Sequence, residues 1–485
     1  MKLNELLKDL QVLKTNIDLN MEIGGVTYDS RKVQPGDLFV AITGYATDGN
    51  LYIPMALGKG AAAVVTAKEQ SEDVPYVQVK SDREALARIG ANLYGHPAEA
   101  MKMVAVTGTN GKTSSTLLLK HVLEVTRGAK VGLMGTMENM IGDVRIPAER
   151  TTPESLDLQC LLAQMRDAGC THVVMEASSH AIYLQRVGSV IYDVAAFTNL
   201  TEDHLDFHET MENYCDAKAM LFKQSRCGVL NGDDPWANRM AEGADCPLLT
   251  TSIKGTADLW AENIQLMSDG VTFDAVTADS RAAVQVGIPG KFTVYNVLTV
   301  LGCALQLGIS LTEAAQALRT AQGVKGRVEV VPAPGKDYTI LIDYAHTPDG
   351  LENVLQAVKG YCKGRVIAVF GCGGDRDPIK RPIMGKIGTD LADIAIITSD
   401  NPRTEVPGAI IEDIVKGVSP EKNNYKVIEN RPAAIRYAMD IAEKCDIIIL
   451  AGKGHETYQE IHGVKHHLDE REIVQAYLTE TEEQT

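Results

Sequence analysis

The stretch MVAVTGTNGKTS, Met103–Ser114, joins an apolar run to a glycine-containing turn. The apolar residues predict a buried strand, and Ser115–Val125 has the periodicity of an amphipathic helix. A strand, a glycine turn and a helix N-terminus in this order direct several backbone N–H groups toward one point, where a phosphate chain can bind. In such a loop we expect Lys112 to reach the outer phosphates and the Thr113 hydroxyl to bind a magnesium ion.

This loop is a variant of the usual P-loop pattern, because Val106 stands where that pattern has its first glycine. The alternative is an ordinary strand-turn-helix with an exposed lysine. Because the strand, the glycines, the Lys-Thr pair and the helix occur together, the sequence favours nucleotide binding. The predicted nucleotide contacts of the loop are Gly108, Thr109, Asn110, Gly111, Lys112, Thr113 and Ser114.

Length and composition indicate a multidomain globular protein. The chain has 485 residues, of which 45% are hydrophobic and 23% charged. The formal net charge of −17 argues against a nucleic-acid partner or a membrane-surface role, because phosphate-rich surfaces would repel the protein.

The chain carries no pattern of export or of membrane insertion. The segment Met1–Leu10 alternates charge with leucine and lacks the apolar core of a signal peptide, and no run is long enough for a membrane span. The nine cysteines show neither metal-ligand spacing nor disulfide density, so we expect buried free thiols. A cytoplasmic location is the prediction.

Three segments differ in their patterns, and together they predict an α/β fold class. Residues 1–98 predict a small α/β N-terminal domain, which ends at a His96-Pro97 break. Residues 99–326 alternate strands and helices, as in a central P-loop-type domain with a mostly parallel sheet. After the glycine-rich joint Gly323–Arg327, residues 327–485 have the βαβ rhythm of a Rossmann-like C-terminal domain.

Polar loops follow the predicted strands of the second and third segments. In the second segment the strands are Met103–Val106, His172–Glu176, Asp193–Phe197 and Gly228–Leu230. In the third segment they are Thr339–Ile342, Arg365–Phe370, Ile394–Thr398 and Asp446–Leu450. In open α/β sheets ligands bind at the carboxyl ends of the strands, so we expect the loops of the third segment to share one crevice.

Glu176 and His204 are candidate metal ligands. Glu176 ends an apolar strand, where a carboxylate next to a phosphate loop is well placed to hold magnesium. The alternative is a carboxylate that caps the next helix. His204 follows the next predicted strand, and a lone histidine is more often simply hydrogen-bonded. Their occurrence at successive strand ends favours the functional interpretation.

Taken together, these motifs resemble the Mur ligase family along the whole chain. The matching stretches are Asp29–Arg31, Thr107–Thr113, Thr151–Pro153, Glu176–His180, Asn199–His208, Asp216–Lys218, Asp343–His346, Gly374–Arg376, Asp400–Arg403 and Gly452–Glu456. Their order and spacing are highly specific. The resemblance is strongest to the members that add meso-diaminopimelate to UDP-MurNAc-L-Ala-D-Glu during peptidoglycan precursor synthesis.

The resemblance implies an ATP-dependent amide ligase. ATP phosphorylates the D-glutamyl carboxylate, and an amine attacks the acyl phosphate. The implied partners are ATP with Mg²⁺, UDP-MurNAc-L-Ala-D-Glu and meso-diaminopimelate, and we expect a monomer. ATP contacts from two segments imply that a hinge near Gly323–Arg327 brings them together.

The resemblance also implies roles for individual residues. The implied catalytic residues are Lys112, Glu176, His204 and Lys218. The implied metal ligands are Thr113, Glu176, His204 and Lys218 as a carbamate. Further ATP contacts are Asn296, Arg327, Asp343 and His346. UDP-substrate contacts are Ser30, Thr151, Thr152, Ser178 and Arg186. Amino-acid contacts are Arg376, Asp400, Asn401, Pro402, Arg403, Gly452 and Glu456.

Three positions qualify this assignment. Sequence alone makes Lys218 a solvent-facing helix lysine, and only the Asp-Ala-Lys context indicates carbamylation by carbon dioxide. Family members often carry an asparagine where this chain has Thr293, and some relatives carry a substrate-binding glutamine in place of Leu184.

Arg403 indicates which amine is used. Meso-diaminopimelate has a second carboxylate that lysine lacks, and a guanidinium binds a carboxylate through two parallel hydrogen bonds. A simple turn explains Asn401-Pro402 but leaves Arg403 unexplained. The alternatives are a ligase of the same family that uses lysine or another amine, a folylpolyglutamate synthetase, and a nucleotide-binding module without catalysis.

Overall fold

The computed structural model describes residues 1–44 and 47–482. The chain divides into two compact units, both of the predicted α/β class. The first unit comprises Met1–Trp260, Val276–Ser280 and Tyr295–Ala317. The second unit comprises Ala261–Ala275, Arg281–Val294 and Leu318–Thr485. The predicted domains 1–98, 99–326 and 327–485 are a finer division, and their boundaries stay a prediction.

A five-stranded sheet opens the first unit. In spatial order its strands are Val12–Thr15, Tyr76–Val79, Ala63–Thr66, Leu38–Val40 and Val26–Thr27. Neighbours are parallel except the first pair, which is antiparallel. Alternate residues of the strands belong to separate apolar clusters, so both faces of the sheet are covered. Helices Leu3–Leu6 and Asp82–Leu93 cover one face and helix Ile53–Gly58 covers the other.

A second, larger sheet carries the phosphate loop. Its parallel strands, in spatial order, are Leu248–Ser252, Ser225–Asn231, Tyr192–Phe197, Lys102–Thr107, His172–Glu176 and Val131–Met134. Two antiparallel strands, Glu138–Ile141 and Val144–Pro147, follow at the edge. Each of the four strands predicted for this segment lies within an observed strand. The strand cores are fully buried, as expected for parallel strands covered on both faces.

Helices connect the strands of the first unit. The α-helices of this part are Lys112–Arg127, Ser155–Asp167, Ser179–Tyr183, Leu205–His208, Met211–Ala219 and Ala237–Glu242. Short 3₁₀ helices are Gly49–Tyr52, Pro97–Ala100 and Met220–Gln224. The predicted helix Ser115–Val125 lies within the first of the α-helices, which begins directly at Lys112.

The segment between the two sheet regions has residues in both units. Its strands are Leu259–Met267, Gly270–Val276 and Arg281–Val286, and its helices are Lys291–Gln306 and Leu311–Leu318. The strands are consecutive neighbours joined by short turns, an arrangement that requires antiparallel pairing.

The second unit contains a six-stranded sheet. In spatial order its strands are Glu329–Val331, Thr339–Asp343, Ile447–Ala451, Val366–Phe370, Ile394–Ile397 and Tyr425–Val427. All neighbours are parallel except the first pair. The predicted strands of this segment agree with the observed ones to within one residue at each end. Its helices are Pro348–Lys359, Lys380–Leu391, Pro407–Val415, Arg431–Ile441 and Glu470–Glu482, and a hairpin comprises Tyr458–Ile461 and Val464–His467.

Two further expectations concern cysteines and membranes. All nine cysteines are free, as predicted, but only four of them are buried and Cys445 is exposed. The prediction that the thiols are buried is therefore wrong for Cys445, and the other four are only partly buried. Within residues 1–44 and 47–482, no helix has both the length and the apolar character needed to cross a membrane.

Close packing between two helices of the second unit leads to a stability prediction. A Cβ at Gly385 would lie 2.0 Å from the carbonyl oxygen of Ile414 on the neighbouring helix. We expect Gly385→Ala to destabilise the protein by about 1–3 kcal/mol, because the helices must separate to admit the methyl group. Thermal unfolding followed by circular dichroism measures the change.

Gly408→Ala is the matched control, since a Cβ there would meet only Glu429 Oε2 at 3.4 Å. We expect it to be neutral or slightly stabilising. Equal melting temperatures for the two variants would contradict the packing argument.

Candidate active site

The phosphate loop depends on close contacts at two glycines. Gly108 has φ +144° and Gly111 has φ +84°. A Cβ at Gly108 would lie 2.0 Å from Thr198 Oγ1, and one at Gly111 would lie 2.3 Å from Asn296 Oδ1. Both positions therefore require glycine, for conformation and for space. The predicted contact Asn296 is buried against the loop at the start of the Lys112–Arg127 helix.

Neighbouring strand ends hold the rest of the loop. Asn199 Oδ1 accepts a hydrogen bond from the backbone N–H of Asn110 at 2.9 Å, and Thr198 Oγ1 donates to the carbonyl of Asn110 at 2.6 Å. The backbone N–H of Thr109 donates to the carbonyl of Asn199. The loop is therefore fixed at the carboxyl end of the sheet, where the Lys112–Arg127 helix presents its N-terminus. Ser114 lies half-buried in the first turn of that helix.

Two lysines meet at one carbonyl group of the loop. Lys112 Nζ donates to the carbonyl oxygens of Gly108 and Thr109, both at 2.8 Å, and Lys218 Nζ donates to Gly108 at 3.1 Å. Lys218 is only 1% exposed, so the alternative of a solvent-facing helix lysine is wrong. Burial, with the Lys112 charge nearby, lowers the pKa of Lys218 well below its usual range. A neutral amine is therefore favoured at Lys218.

Glu176 is the centre of a second cluster. Its Oε1 accepts hydrogen bonds from Thr113 Oγ1 and from the backbone N–H of Thr136, both at 2.9 Å. Its Oε2 accepts one from Thr136 Oγ1, also at 2.9 Å. The next helix is capped by Ser178, whose hydroxyl accepts from the N–H of Ala181. The alternative that Glu176 caps that helix is therefore wrong.

The Thr113 and Glu176 pair suits a magnesium ion. Both groups offer oxygen ligands, which Mg²⁺ prefers, and they lie at the mouth of the phosphate loop. Among the described residues, no group of three His, Cys, Asp or Glu side chains is placed to hold a metal ion. A site with few protein ligands suits Mg²⁺, because this ion usually keeps several waters and binds phosphate oxygens.

His204 lies in an aromatic cluster rather than beside Glu176. Its ring is 4.8 Å from that of His180 and 6.2 Å from that of Tyr214, and Lys218 Nζ lies 4.4 Å from the same Tyr214 ring. His208 completes the cluster, and burial lowers its pKa to about 4, so it is neutral at pH 7. The structure therefore brings His204 near Lys218 and, in the described contacts, not to Thr113.

The predicted UDP-substrate residues form two groups in the first unit. Ser30 lines a cavity of about 450 Å³ with Tyr28, Phe39, Tyr52 and Met55. This cavity combines aromatic walls with a few polar groups, which is typical of a small-molecule site.

The second group lies beside Glu176. Thr152 Oγ1 donates to the carbonyl of Glu176 at 2.8 Å and accepts from the N–H of Ser178 at 3.2 Å. Thr151 Oγ1 lies 3.1 Å from Thr136 Oγ1, which itself contacts Glu176. Thr151, Thr152 and Ser178 are therefore joined to the metal-site candidate through a continuous chain of hydrogen bonds.

Arg186 is held by a carboxylate that sequence reasoning missed. Its Nε lies 3.2 Å from Oε2 of the buried Glu154, which also pairs with Arg83 at 3.7 Å. Leu184, one of the two departures from the family pattern, supplies only a carbonyl, which accepts from Arg83 at 3.4 Å. Thr293, the other departure, donates to the carbonyl of Pro289 at 3.2 Å, a local contact at the helix start.

The predicted ATP residues of the second unit surround Tyr344. The Arg327 guanidinium lies 5.3 Å from the Tyr344 ring, and the His346 ring lies 4.6 Å from it. Asp343 accepts from the backbone N–H groups of Val328 and Ala345, both at 2.8 Å, and burial raises its pKa. Asp343 thus orients the loop, whereas Arg327 and His346 present their side chains beside an aromatic face.

The predicted amino-acid residues gather at adjacent strand ends. Asn401 Nδ2 donates to Glu456 Oε2 at 2.9 Å. A Cβ at Gly452, where φ is +116°, would lie 2.6 Å from Asp400 Oδ2, so glycine is required there. Arg403 Nη1 donates to the carbonyl of Gly374 at 2.7 Å. These loops share one edge of the sheet, as predicted.

The remaining predicted amino-acid residues, Pro402 and Arg376, differ in how closely they pack. The carbonyl of Pro402 approaches Gly374 so closely that a Cβ there would lie 2.0 Å away. Arg376 is exposed in the same loop. The hairpin also holds Arg403, because Glu460 Oε2 lies 3.4 Å from Arg403 Nε and the Glu460 carbonyl accepts from the Arg403 N–H.

Sequence reasoning missed four residues that support the site. Thr136 follows a strand, and Glu154 directly follows the Thr-Thr-Pro motif, so position was a usable signal for both. Lys453 lies inside the matched Gly452–Glu456 stretch but was not assigned a role. Glu460, on the hairpin, gave no signal in the sequence.

Comparisons with known proteins agree with these motifs. The description "Mur ligase family, catalytic domain" matches residues 22–105, "Mur ligase middle domain" matches residues 106–304, and "Mur ligase, glutamate ligase domain" matches residues 326–454.

Similar proteins match over nearly the whole chain. A Clostridium tetani protein named UDP-N-acetylmuramoyl-L-alanyl-D-glutamate–2,6-diaminopimelate ligase is 47% identical and covers 99% of this chain and 100% of its own length. A Caldanaerobacter subterraneus protein of the same name is 48% identical with the same coverage. A solved structure of a ligase of that name superposes with a TM-score of 0.78, at 33% identity and 99% coverage of both chains.

The loop geometry predicts the effect of one methyl group. We expect Gly111→Ala to weaken ATP binding by about tenfold or more, since the Cβ would displace Asn296 and distort the phosphate loop. Titration with a fluorescent ATP analogue measures the change in affinity.

Gly128→Ala is the matched control at the other end of the same helix. Gly128 also has positive φ, +57°, but a Cβ there would meet nothing within 4 Å. We expect the control to lose some stability and to keep its ATP affinity. Equal losses of affinity would show that the strain of positive φ, rather than contact with Asn296, is responsible.

Proposed function

The chain belongs to the Mur ligase family, and we propose that it is the ATP-dependent ligase that adds meso-diaminopimelate to UDP-MurNAc-L-Ala-D-Glu. The observation that carries this proposal is Arg403 at the shared strand edge, beside Asn401 and Glu456. Two relatives whose alignments cover 99% of the chain are named UDP-N-acetylmuramoyl-L-alanyl-D-glutamate–2,6-diaminopimelate ligase. The product is a UDP-linked tripeptide for peptidoglycan synthesis.

The reaction has two steps. An oxygen of the D-glutamyl carboxylate attacks the γ-phosphorus of ATP, the bond to the bridging oxygen breaks, and ADP leaves. The neutral amine of diaminopimelate then attacks the acyl-phosphate carbon, inorganic phosphate leaves with the C–O bond electrons, and the nitrogen loses a proton. Both steps bring anions together, so cations and fixed N–H groups carry much of the catalysis.

The first unit supplies the groups for phosphoryl transfer. Backbone N–H groups of the Gly108–Thr113 loop would cradle the phosphates, with the Lys112 ammonium available to them. In the structure, the Lys112 ammonium donates to two loop carbonyls, and these hydrogen bonds keep it at the loop. Thr113 and Glu176 would hold Mg²⁺, which when bound neutralises phosphate charge.

Lys218 is proposed to act as a carbamate. A buried amine with a lowered pKa is neutral and nucleophilic, so its nitrogen can attack carbon dioxide and lose a proton. The product replaces a cation with an anion that carries two oxygen ligands. Those oxygens would assist His204 in holding a second Mg²⁺, as the family resemblance implies.

The muramyl substrate is assigned to the first unit. We propose that the Ser30 cavity receives the UDP end. Arg186, held by Glu154, and the Thr151, Thr152 and Ser178 cluster would contact the rest of the substrate beside Glu176. The hydrogen-bond chain from these residues to Glu176 supports this assignment.

The second unit is assigned to the amine. Arg403 would bind the distal carboxylate through its guanidinium, and Glu456 would bind the distal ammonium. Both are preorganised, Arg403 by Gly374 and Glu460, and Glu456 by Asn401. A lysine substrate lacks that carboxylate, so it would not form the charge-assisted hydrogen bonds that diaminopimelate offers to Arg403.

ATP and a UDP-linked precursor are cytoplasmic metabolites, so we place the reaction in the cytoplasm. The monomeric state stays a prediction.

An amine panel tests the proposed function. With ATP and UDP-MurNAc-L-Ala-D-Glu, we expect mass spectrometry to find the meso-diaminopimelate adduct and little product from L-lysine or L-glutamate. A lysine adduct as the main product would favour the same-family alternative. ATP binding without any product would favour a non-catalytic module.

Arg403→Ala tests the amine assignment. We expect the KM for meso-diaminopimelate to rise about tenfold to hundredfold, because a charge-assisted hydrogen-bond pair is lost, while the KM for ATP stays within about twofold. Arg436→Ala is the control, since Arg436 pairs with Glu480 in the same unit and away from the site. Equal rises in both KM values, or none, would show that Arg403 does not bind the amine.

Lys218→Ala tests the carbamate. We expect turnover to fall about tenfold to hundredfold, because a metal-holding group is lost. Lys223→Ala, an exposed lysine on the next turn, should keep full turnover. With ¹³C-bicarbonate, the wild type should show a carbamate carbon signal that Lys218→Ala lacks, and identical spectra would exclude the modification.

A further inference from the structure

A lysine with no access to solvent lies behind the proposed amine site. Lys453 is 0% exposed, although it stands on a loop at the end of the strand Ile447–Ala451. Lysine is almost never fully buried unless it is paired, because removing its charge from water is unfavourable. Its contacts therefore indicate what the buried charge does.

Lys453 contacts two of the residues assigned to the amine. Its Nζ donates to Asn401 Oδ1 at 3.0 Å and lies 3.3 Å from Glu456 Oε2. It also lies 5.7 Å from the centre of the Tyr458 ring, close enough for a cation–π interaction. Because Lys453 is buried, it cannot touch a bound amine and can act only through these neighbours.

Lys453 and a backbone N–H group together determine which way the Asn401 amide points. Asn401 Oδ1 faces the Lys453 ammonium and the backbone N–H of Glu460, at 3.0 Å and 2.9 Å. Both groups can only donate, so the amide atom facing them must be the oxygen. The Asn401 NH₂ group therefore faces Glu456, to which it donates at 2.9 Å.

The same contacts orient the Glu456 carboxylate. Its Oε2 accepts hydrogen bonds from Asn401 Nδ2 and from Lys453 Nζ. Across the described part of the chain, its Oε1 has no hydrogen-bond partner. Asn401 and Lys453 therefore hold Oε2, while Oε1 is available for a ligand ammonium.

We propose that Lys453 is a positioning residue for amine selection, which fixes Asn401 and holds Glu456 so that Oε1 meets the distal ammonium of the substrate. The proposal rests on the proposed function, and it adds a residue that does not touch the substrate. Without Lys453 the Asn401 oxygen keeps only one of its two donors, the backbone N–H of Glu460, and Glu456 loses its neighbouring cation. The amine should then bind weakly, whereas the binding of ATP phosphates by the first unit should not change.

Kinetics of Lys453→Met tests this role. The methionine keeps most of the side-chain volume and removes the charge. We expect the KM for meso-diaminopimelate to rise about tenfold or more, with kcat and the KM values for ATP and the UDP substrate within about threefold of wild type. Lys465→Met is the control, because Lys465 lies 4.1 Å from the same Tyr458 ring but is exposed on the hairpin. It should leave every constant unchanged.

A double-mutant cycle separates positioning from general support of the loop. If Lys453 acts through Glu456, Lys453→Met should add little to the defect of Glu456→Gln, because the group that it positions is already altered. Independent effects would multiply, and that result would overturn the proposal, as would an unchanged diaminopimelate KM or a parallel rise in the KM for ATP.

The double variant also covers a failure to fold. Lys453→Met alone leaves Glu456 without its buried partner and can destabilise the protein, whereas the double variant removes both charges. Should only the double variant fold, a diaminopimelate KM equal to that of Glu456→Gln supports the proposal, and one about tenfold higher overturns it. Wild-type enzyme that ligates no diaminopimelate would instead refute the proposed function.

Discussion

The carbonyl oxygen of Gly108 accepts hydrogen bonds from Lys112 at 2.8 Å and from Lys218 at 3.1 Å. Two ammonium groups so close in a buried site would repel each other, and the repulsion is relieved if one of them is neutral. Lys218 is the more buried of the two, and burial lowers its pKa well below its usual range, which favours the neutral form there. The carbonyl is available to both only because Gly108 lies against Thr198, where no other residue fits. One close approach of the backbone thus brings two lysine side chains to the same carbonyl oxygen.

Each unit builds its site from the ends of parallel strands. In the first unit these ends place Glu176 beside Thr113, and the Lys218 helix packs against the same loop. In the second unit they place Asn401 beside Glu456. Parallel strands put all their carboxyl ends at one edge, so residues far apart in sequence meet there.

Regular structure could be predicted from the sequence because its causes are local. The strand His172–Glu176 was predicted to the residue, since an apolar run bounded by polar residues identifies a buried strand. Candidate ligands such as Glu176 were found because strand ends can be located in the sequence. The burial of Lys218 could not be derived, since it depends on packing against Gly108, 110 residues earlier. The role of Lys453 could not be derived for the same reason, because it holds other side chains and only the folded chain shows which ones.

Arg403 has a backbone φ of +51°, which is unfavourable for any residue with a side chain. Its N–H donates to Glu460 and its carbonyl accepts from His462, so the hairpin Tyr458–His467 holds this conformation in place. An isolated two-stranded hairpin is only marginally stable. Under the proposed assignment of Arg403, discrimination between amines would therefore depend on the local folding of a small hairpin, whereas phosphoryl transfer would rely on a large buried sheet. Substitutions in a surface hairpin would then be able to change the choice of amine without disturbing the buried sheet that carries the phosphate loop.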